Sequence, residues 1–130
     1  MPMNERIPPS VDSTSVSEFR KDLDKLNRFR HIESDLEVAV NVIKAEPFNL
    51  ARCFRAEGLG KDCVTLIFVL KKFRSTDLRS MNEIRLVYAF ENPKNRITLI
   101  EIYFKGDRKS EDKERILKYF SEKSPFRIKS

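Results

Sequence analysis

Three strongly apolar, β-branched and aromatic segments follow one another with only polar turns between them: 63–73 (CVTLIFVLKKF), 84–90 (IRLVYAF) and 96–104 (RITLIEIYF). Branched and aromatic side chains suit the pleated, half-buried surface of a sheet. The first segment is too continuously apolar for a surface strand, so it belongs at the centre. A polar loop over 75–83 and the turn residues Glu91-Asn92-Pro93-Lys94-Asn95 join the three. Connections this short predict an antiparallel meander rather than parallel crossovers.

Upstream the apolar period changes to that of helices. Ser15-x-x-Glu18 has capping-box spacing, and Phe19, Leu23, Leu26 and Phe29 follow it, predicting a helix over 16–29. Ile32, Leu36, Ala39, Val40 and Ile43 share one face of a second helix over 32–45, which Glu46-Pro47 ends. Almost no linker separates the two, so they read as an antiparallel hairpin, with His31 a structural residue at the junction. Asp22, Asp24 and Asp35 fall on polar helix faces and carry no acid–base role. The stretch 48–61 is irregular, with Gly58 and Gly60 marking turns. After Gly106, Ser110 is placed to cap a last helix with Glu111 and Asp112 in its first turn. Ile116, Leu117 and Phe120 give that helix its apolar face. Residues 1–14 read as an extended arm or a short edge strand, and 15–130 as one domain. The expected class is α+β: an N-terminal helical hairpin covering one face of an antiparallel meander, with a C-terminal helix.

Charge narrows the function classes. Residues 1–60 hold nine Lys/Arg against ten Asp/Glu, whereas 61–130 hold 17 against 10. The positive excess thus lies with the strands, which favours a polyanionic partner. No apolar run approaches the roughly 18 residues of a membrane span. No leader pattern opens the chain, so a cytoplasmic protein is expected. Cys53 and Cys63 lack CxxC spacing and there is a single His, so neither a zinc cage nor another cofactor is expected.

Several local motifs in a fixed order carry a resemblance. Lys72-Phe73-Arg74 is followed by Asp77-Leu78-Arg79, then Ile84-Arg85-Leu86-Val87-Tyr88, then the segment from Ile100 to Asp107 and a helix. With the element order, this resembles the RelE/ParE toxin superfamily, and within it the RelE-type messenger RNA interferases, from about Val16 to Phe120. Asn82-Glu83 stands where relatives carry glycine, and Phe104-Lys105 where many carry a basic residue or His. The resemblance implies a type II toxin that cleaves mRNA on the ribosome without metal and is silenced by a cognate antitoxin. The antitoxin's expected contribution is an acidic or amphipathic segment laid over the basic face. The same scaffold also serves non-nucleolytic members, such as gyrase poisons.

Metal-free RNA cleavage needs a proton taken from the 2′-hydroxyl, a stabilised phosphate and a proton for the leaving 5′-oxygen. Arg85 shares a strand face with Val87 and Ala89, opposite Leu86 and Tyr88, and is placed either to project as a phosphate fork or to pair with Glu101. By resemblance it matches the family's phosphate-stabilising arginine, and Lys72 a lysine acting as base or charge stabiliser. Lys72 and Arg74, two apart, point to one face; the bland alternative is solvated edge charge. Tyr103 and Tyr119 are the candidate phenols, with Tyr103 taken as catalytic or core. Arg74, Arg79, Lys105 and Arg108 are candidate RNA or phosphate ligands. Tyr88 alternates with Leu86 and Phe90 and reads as core. Lys109, Lys113 and Lys118 interleave with acids as a solvated helix face.

Overall fold

The apolar runs pair as the turns between them require. The computed structural model describes residues 7–78 and 83–128. In chain order the elements are β1 (Ser10–Asp12), α1 (Glu18–Lys25), α2 (Ile32–Ala45), β2 (Cys53–Arg55), β3 (Leu66–Leu70), β4 (Ile84–Glu91), β5 (Arg96–Phe104) and α3 (Lys113–Phe120). The fold is α+β, one five-stranded sheet in the order β1-β5-β4-β3-β2. The β2–β3, β3–β4 and β4–β5 pairings are antiparallel, and β1 lies parallel to β5 with Ser10 opposite Arg96. No helix of the described residues is long and apolar enough to cross a membrane.

Two differences from the expected architecture stand out. The helices do not come first: β1 precedes them, which makes the sheet mixed rather than purely antiparallel. The segment expected to be irregular supplies the edge strand β2, because Phe54 and Ala56 alternate with Cys53 and bury against β3.

Both sheet faces are covered. On one, Phe19 and Leu23 of α1 and Ile32, Ala39 and Ile43 of α2 pack with Phe68, Leu70, Leu86, Tyr88, Leu99 and Ile102. On the other, Ile116, Tyr119 and Phe120 of α3 pack with Ile67, Val69, Val87, Ala89, Ile100 and Tyr103. Tyr88 is core, as its alternation implies; its hydroxyl donates to the Pro47 carbonyl at 2.7 Å, with the Cys53 sulfur 3.3 Å away.

Helix ends are set by groups other than those expected. The capping box does not form, because the Asp12 carboxylate takes the amides of Thr14 and Ser15, each at 2.9 Å. The chain leaves α1 at Lys25, where the Leu26 amide already reaches the Leu23 carbonyl at 3.0 Å and tightens the turn. For α3 the cap is Asp112, not Ser110: its side chain accepts from the Arg115 amide at 3.0 Å, while its own amide donates to buried Glu101 at 2.8 Å.

Buried charge ties α1 to α3 across the β5 edge, so Asp22 and Asp35 are not on polar helix faces as expected. Asp22 accepts from both terminal nitrogens of Arg115, at 2.6 and 3.1 Å, and from the Ile102 amide at 3.2 Å. Asp35 accepts from the Thr76 amide and hydroxyl at 2.7 and 2.6 Å.

Tyr119, one of the two candidate phenols, donates to Glu18, which Lys118 also approaches at 3.1 Å. Burial opposes ionisation of Glu18, but Tyr119, the local amide and Lys118 outweigh it and hold its pKa at about 2. A carboxylate with a depressed folded pKa stabilises above its ordinary value, 4.5, and that contribution fades as pH falls towards 2. Tyr119→Phe is expected to lower stability most at neutral pH, with the difference from wild type shrinking between pH 4.5 and 2. Urea melts at pH 7, 4 and 2.5 check this; a constant difference contradicts it.

Candidate nucleic-acid interface

Strand alternation puts Arg85 on the α3 face with Val87 and Ala89, as its sequence position predicts. It stands opposite Tyr103 of β5, and its guanidinium carbon lies 5.4 Å from the Phe54 ring centroid. Pairing with Glu101 does not occur. That carboxylate, 1% exposed, is taken by Arg108 and the Asp112 amide. The Nε of Arg85 and the hydroxyl of Tyr103 are instead both buried without a hydrogen-bond partner among the described residues. Such orphaned groups are rare in folded interiors and cost free energy, and the hydroxyls of Ser75 and Thr98 share that state.

The protonation of Tyr103 follows from its surroundings. Burial pushes the phenol up, Glu111 and Glu101 push it further, and Arg85 opposes them. At neutral pH the group keeps its proton and acts as a donor, not as a base.

Lysines reach the same face where strand phase slips. Leu70 and Phe73 both pack in the cluster beneath α1 and α2, although they are three residues apart. β3 ends at Leu70, and just past it the amides of Lys71 and Lys72 both donate to the Arg52 carbonyl, at 3.0 and 3.3 Å, a bulge-like doubling that breaks the alternation as the chain leaves the strand. Both lysines are turned away from the helical layer. Lys72 and Arg74 are exposed, flanking buried Phe73 and preceding buried Ser75. A second slip occurs in β5, where pairing shifts between Val87 and Tyr88 and both Leu99 and Ile102 face the helical layer. It sends Ile100 and Glu101 together to the α3 side and brings Tyr103, not Ile102, opposite Arg85.

The loop after Arg74 is pinned to the start of α2. Asp77 accepts from the His31 amide at 3.0 Å and lies 3.1 Å from its Nδ1; chiefly that amide holds the Asp77 carboxyl below its ordinary pKa. With the Asp35–Thr76 bonds, this fixes where Arg74 emerges. His31 is therefore structural, as expected. Arg79 lies outside the described residues. Lys105, exposed and two residues past Tyr103, has its amide on the Glu83 carbonyl at 2.7 Å. Arg108 lies over the Tyr103 ring, 5.8 Å from its centroid, while paired to Glu101.

Among the described residues, most of these cations are free of carboxylates, a state they share with Lys21, Lys25, Arg30, Arg55, Lys61, Lys109 and Lys113. Arg52, Lys71, Lys72, Arg74, Arg85 and Lys105 make no ion pair among the described residues, whereas Arg96, Arg108, Arg115 and Lys118 all do. Lys71 reaches this face by alternation after Leu70, and Arg52 by alternation with Cys53; Arg52 escapes detection because 48–61 reads as irregular in the sequence.

Among the described residues, no group of three or more His, Cys, Asp and Glu side chains gathers in a way that would hold a metal ion. Compared with family models, curated proteins and solved structures, the chain matches none. The chemistry is therefore read from the site itself: a fixed guanidinium and a protonated phenol side by side, with unpaired ammonium groups nearby. That set suits an oxyanion of a phosphodiester.

Proposed function

We propose that this chain is a RelE-type toxin of a type II toxin–antitoxin system, an endoribonuclease that cleaves mRNA on the ribosome. The observation that carries this reading is the partnerless Arg85 Nε beside the partnerless, protonated Tyr103 hydroxyl. It is supported by the unpaired Lys72 and Arg74 and by the resemblance of the ordered motifs.

In this mechanism the 2′-oxygen attacks the adjacent phosphorus, its proton leaving towards a base on the Lys72 side. Arg85 donates to the equatorial oxygens as charge builds on the phosphorane. The P–O5′ bond then breaks, and Tyr103 protonates the leaving oxygen and recovers its proton from solvent. The products are a 2′,3′-cyclic phosphate and a 5′-hydroxyl. Arg74, Arg79, Lys105 and Arg108 serve as contacts to flanking phosphates, Arg108 by exchanging Glu101 for RNA. The cognate antitoxin silences the protein by laying an acidic or amphipathic segment over the same cations, and its site of action is the cytoplasm.

Inducing the chain in cells and mapping transcript ends tests the proposal. Translation arrest is expected, with new 5′-hydroxyl ends inside open reading frames. Undisturbed translation overturns the nuclease reading.

One observation favours a second reading, a non-nucleolytic binding module on the same scaffold. Tyr103 is only 4% exposed and Arg108 is tied to Glu101, an arrangement suited to holding an anion without turnover. Inhibition of gyrase supercoiling, or RNA binding without new ends, selects that alternative.

A further inference from the structure

The register that sets Arg85 opposite Tyr103 continues across the sheet. Leu86 stands opposite Leu70, and Leu70 opposite Cys53. The next row along therefore reads Tyr103, Arg85, Lys71 and Arg52, one residue from each of four adjacent strands or their direct extensions. The Lys71 amide on the Arg52 carbonyl, at 3.0 Å, fixes the last step. Arg52 lies two residues before Phe54, which packs against the α3 cluster, while Cys53 between them faces the helical layer. Arg52 and Lys71 both lie near enough to Cys53 to favour its thiolate, against the larger opposing effect of burial.

Like charges on adjacent strands repel. Neighbouring strands are about 4.8 Å apart, so Arg52 and Arg85 are separated by roughly 10 Å at the backbone. One phosphate is too small to serve both ends of such a row. A chain of phosphates relieves the repulsion along its whole length.

We propose that Arg52 and Lys71 hold a second phosphate of the same RNA strand whose reacting phosphate sits on Arg85 and Tyr103. The RNA backbone then crosses the sheet perpendicular to its strands and passes over the β2 edge. This rests on the RNA reading above and adds two ligands that the family resemblance does not supply.

The test is fluorescence anisotropy with a short single-stranded 2′-O-methyl RNA, which cannot be cleaved, titrated at several salt concentrations. Each phosphate contact on a single strand contributes about 0.7 to the slope of log affinity against log salt. The R52Q/K71Q double variant, which loses that one phosphate, is expected to lower the magnitude of that slope by about 0.7. K21Q/R30Q, the same charge change away from the row, is expected to leave it alone. An unchanged slope in R52Q/K71Q, with a reduced slope in R85M, removes the second subsite and leaves the RNA reading standing. Equal falls in R52Q/K71Q and K21Q/R30Q also overturn the subsite, since net charge alone then explains them. If the wild-type protein shows no salt-dependent binding, both proposals fall together.

Discussion

Replacing Arg85 by Met is expected to slow cleavage by about 10²–10³-fold while leaving the protein as stable as wild type or slightly more so. The two effects have one cause. Arg85 Nε is buried without a hydrogen-bond partner, and the guanidinium has no carboxylate among the described residues. Replacing an unsatisfied buried polar group by an apolar one of similar length removes a desolvation cost without removing a bond. Met keeps the contact with Phe54, since thioethers pack well on aromatic rings. The same change deletes the guanidinium opposite Tyr103 that no carboxylate of the described residues engages, whereas Arg108 over the same ring is held by Glu101. Loss of one preorganised donor to a developing oxyanion typically lowers turnover by about 10²–10³-fold. Single-turnover cleavage on mRNA-programmed ribosomes, set beside a thermal melt, reads both. A stable variant that still cleaves at the wild-type rate rules out Arg85 as the phosphate-stabilising group, and a variant that fails to fold makes the residue structural.

The residues that were legible in the sequence are those whose placement depends only on period. Arg85 beside Val87 and Ala89, the core position of Tyr88, the span of α2 and the strand Arg96–Phe104 all follow from alternation or helical spacing. What escaped depends on competition between local groups or on a break in period. Asp12 captures the Ser15 amide that Glu18 was expected to accept from, and Glu101, by holding the Asp112 amide, helps fix the start of α3 two residues later than Ser110 suggests. The apolar run reads as a strand from 63 to 73, whereas β3 spans Leu66–Leu70, and the doubled amides of Lys71 and Lys72 on Arg52 leave no mark in composition. The slip at Ile100 and Glu101 hides in a continuous apolar run, where both faces are buried and alternation leaves no polar mark. Asp22 was placed on a polar face because its partner, Arg115, is 93 residues away and no local pattern announces it.

That partnership carries the second large expected effect. The Asp22 and Arg115 side chains are 8% and 11% exposed, and each also serves the backbone of β5. Asp22 accepts from the Ile102 amide, and Arg115 donates to the Ile100 carbonyl at 2.9 Å. These two groups lie on the edge of β5 that β1 leaves unpaired beyond Thr98. Removing either side chain strands a buried charge, which typically costs about 3–5 kcal/mol. Asp22→Ala and Arg115→Ala are therefore each expected to destabilise by that amount, measured by urea unfolding at neutral pH. Buried ion pairs elsewhere are often replaced by apolar pairs at no cost, which on its own would make D22L/R115M neutral. Here it is not, because the Ile102 amide and the Ile100 carbonyl lose their partners as well, at about 1–3 kcal/mol for each buried group left unsatisfied. The double variant is expected to stay at least 2 kcal/mol below wild type. Full recovery in D22L/R115M shows that the pair is a replaceable contact between α1 and α3; persistent loss shows that it completes the hydrogen bonding of the β5 edge.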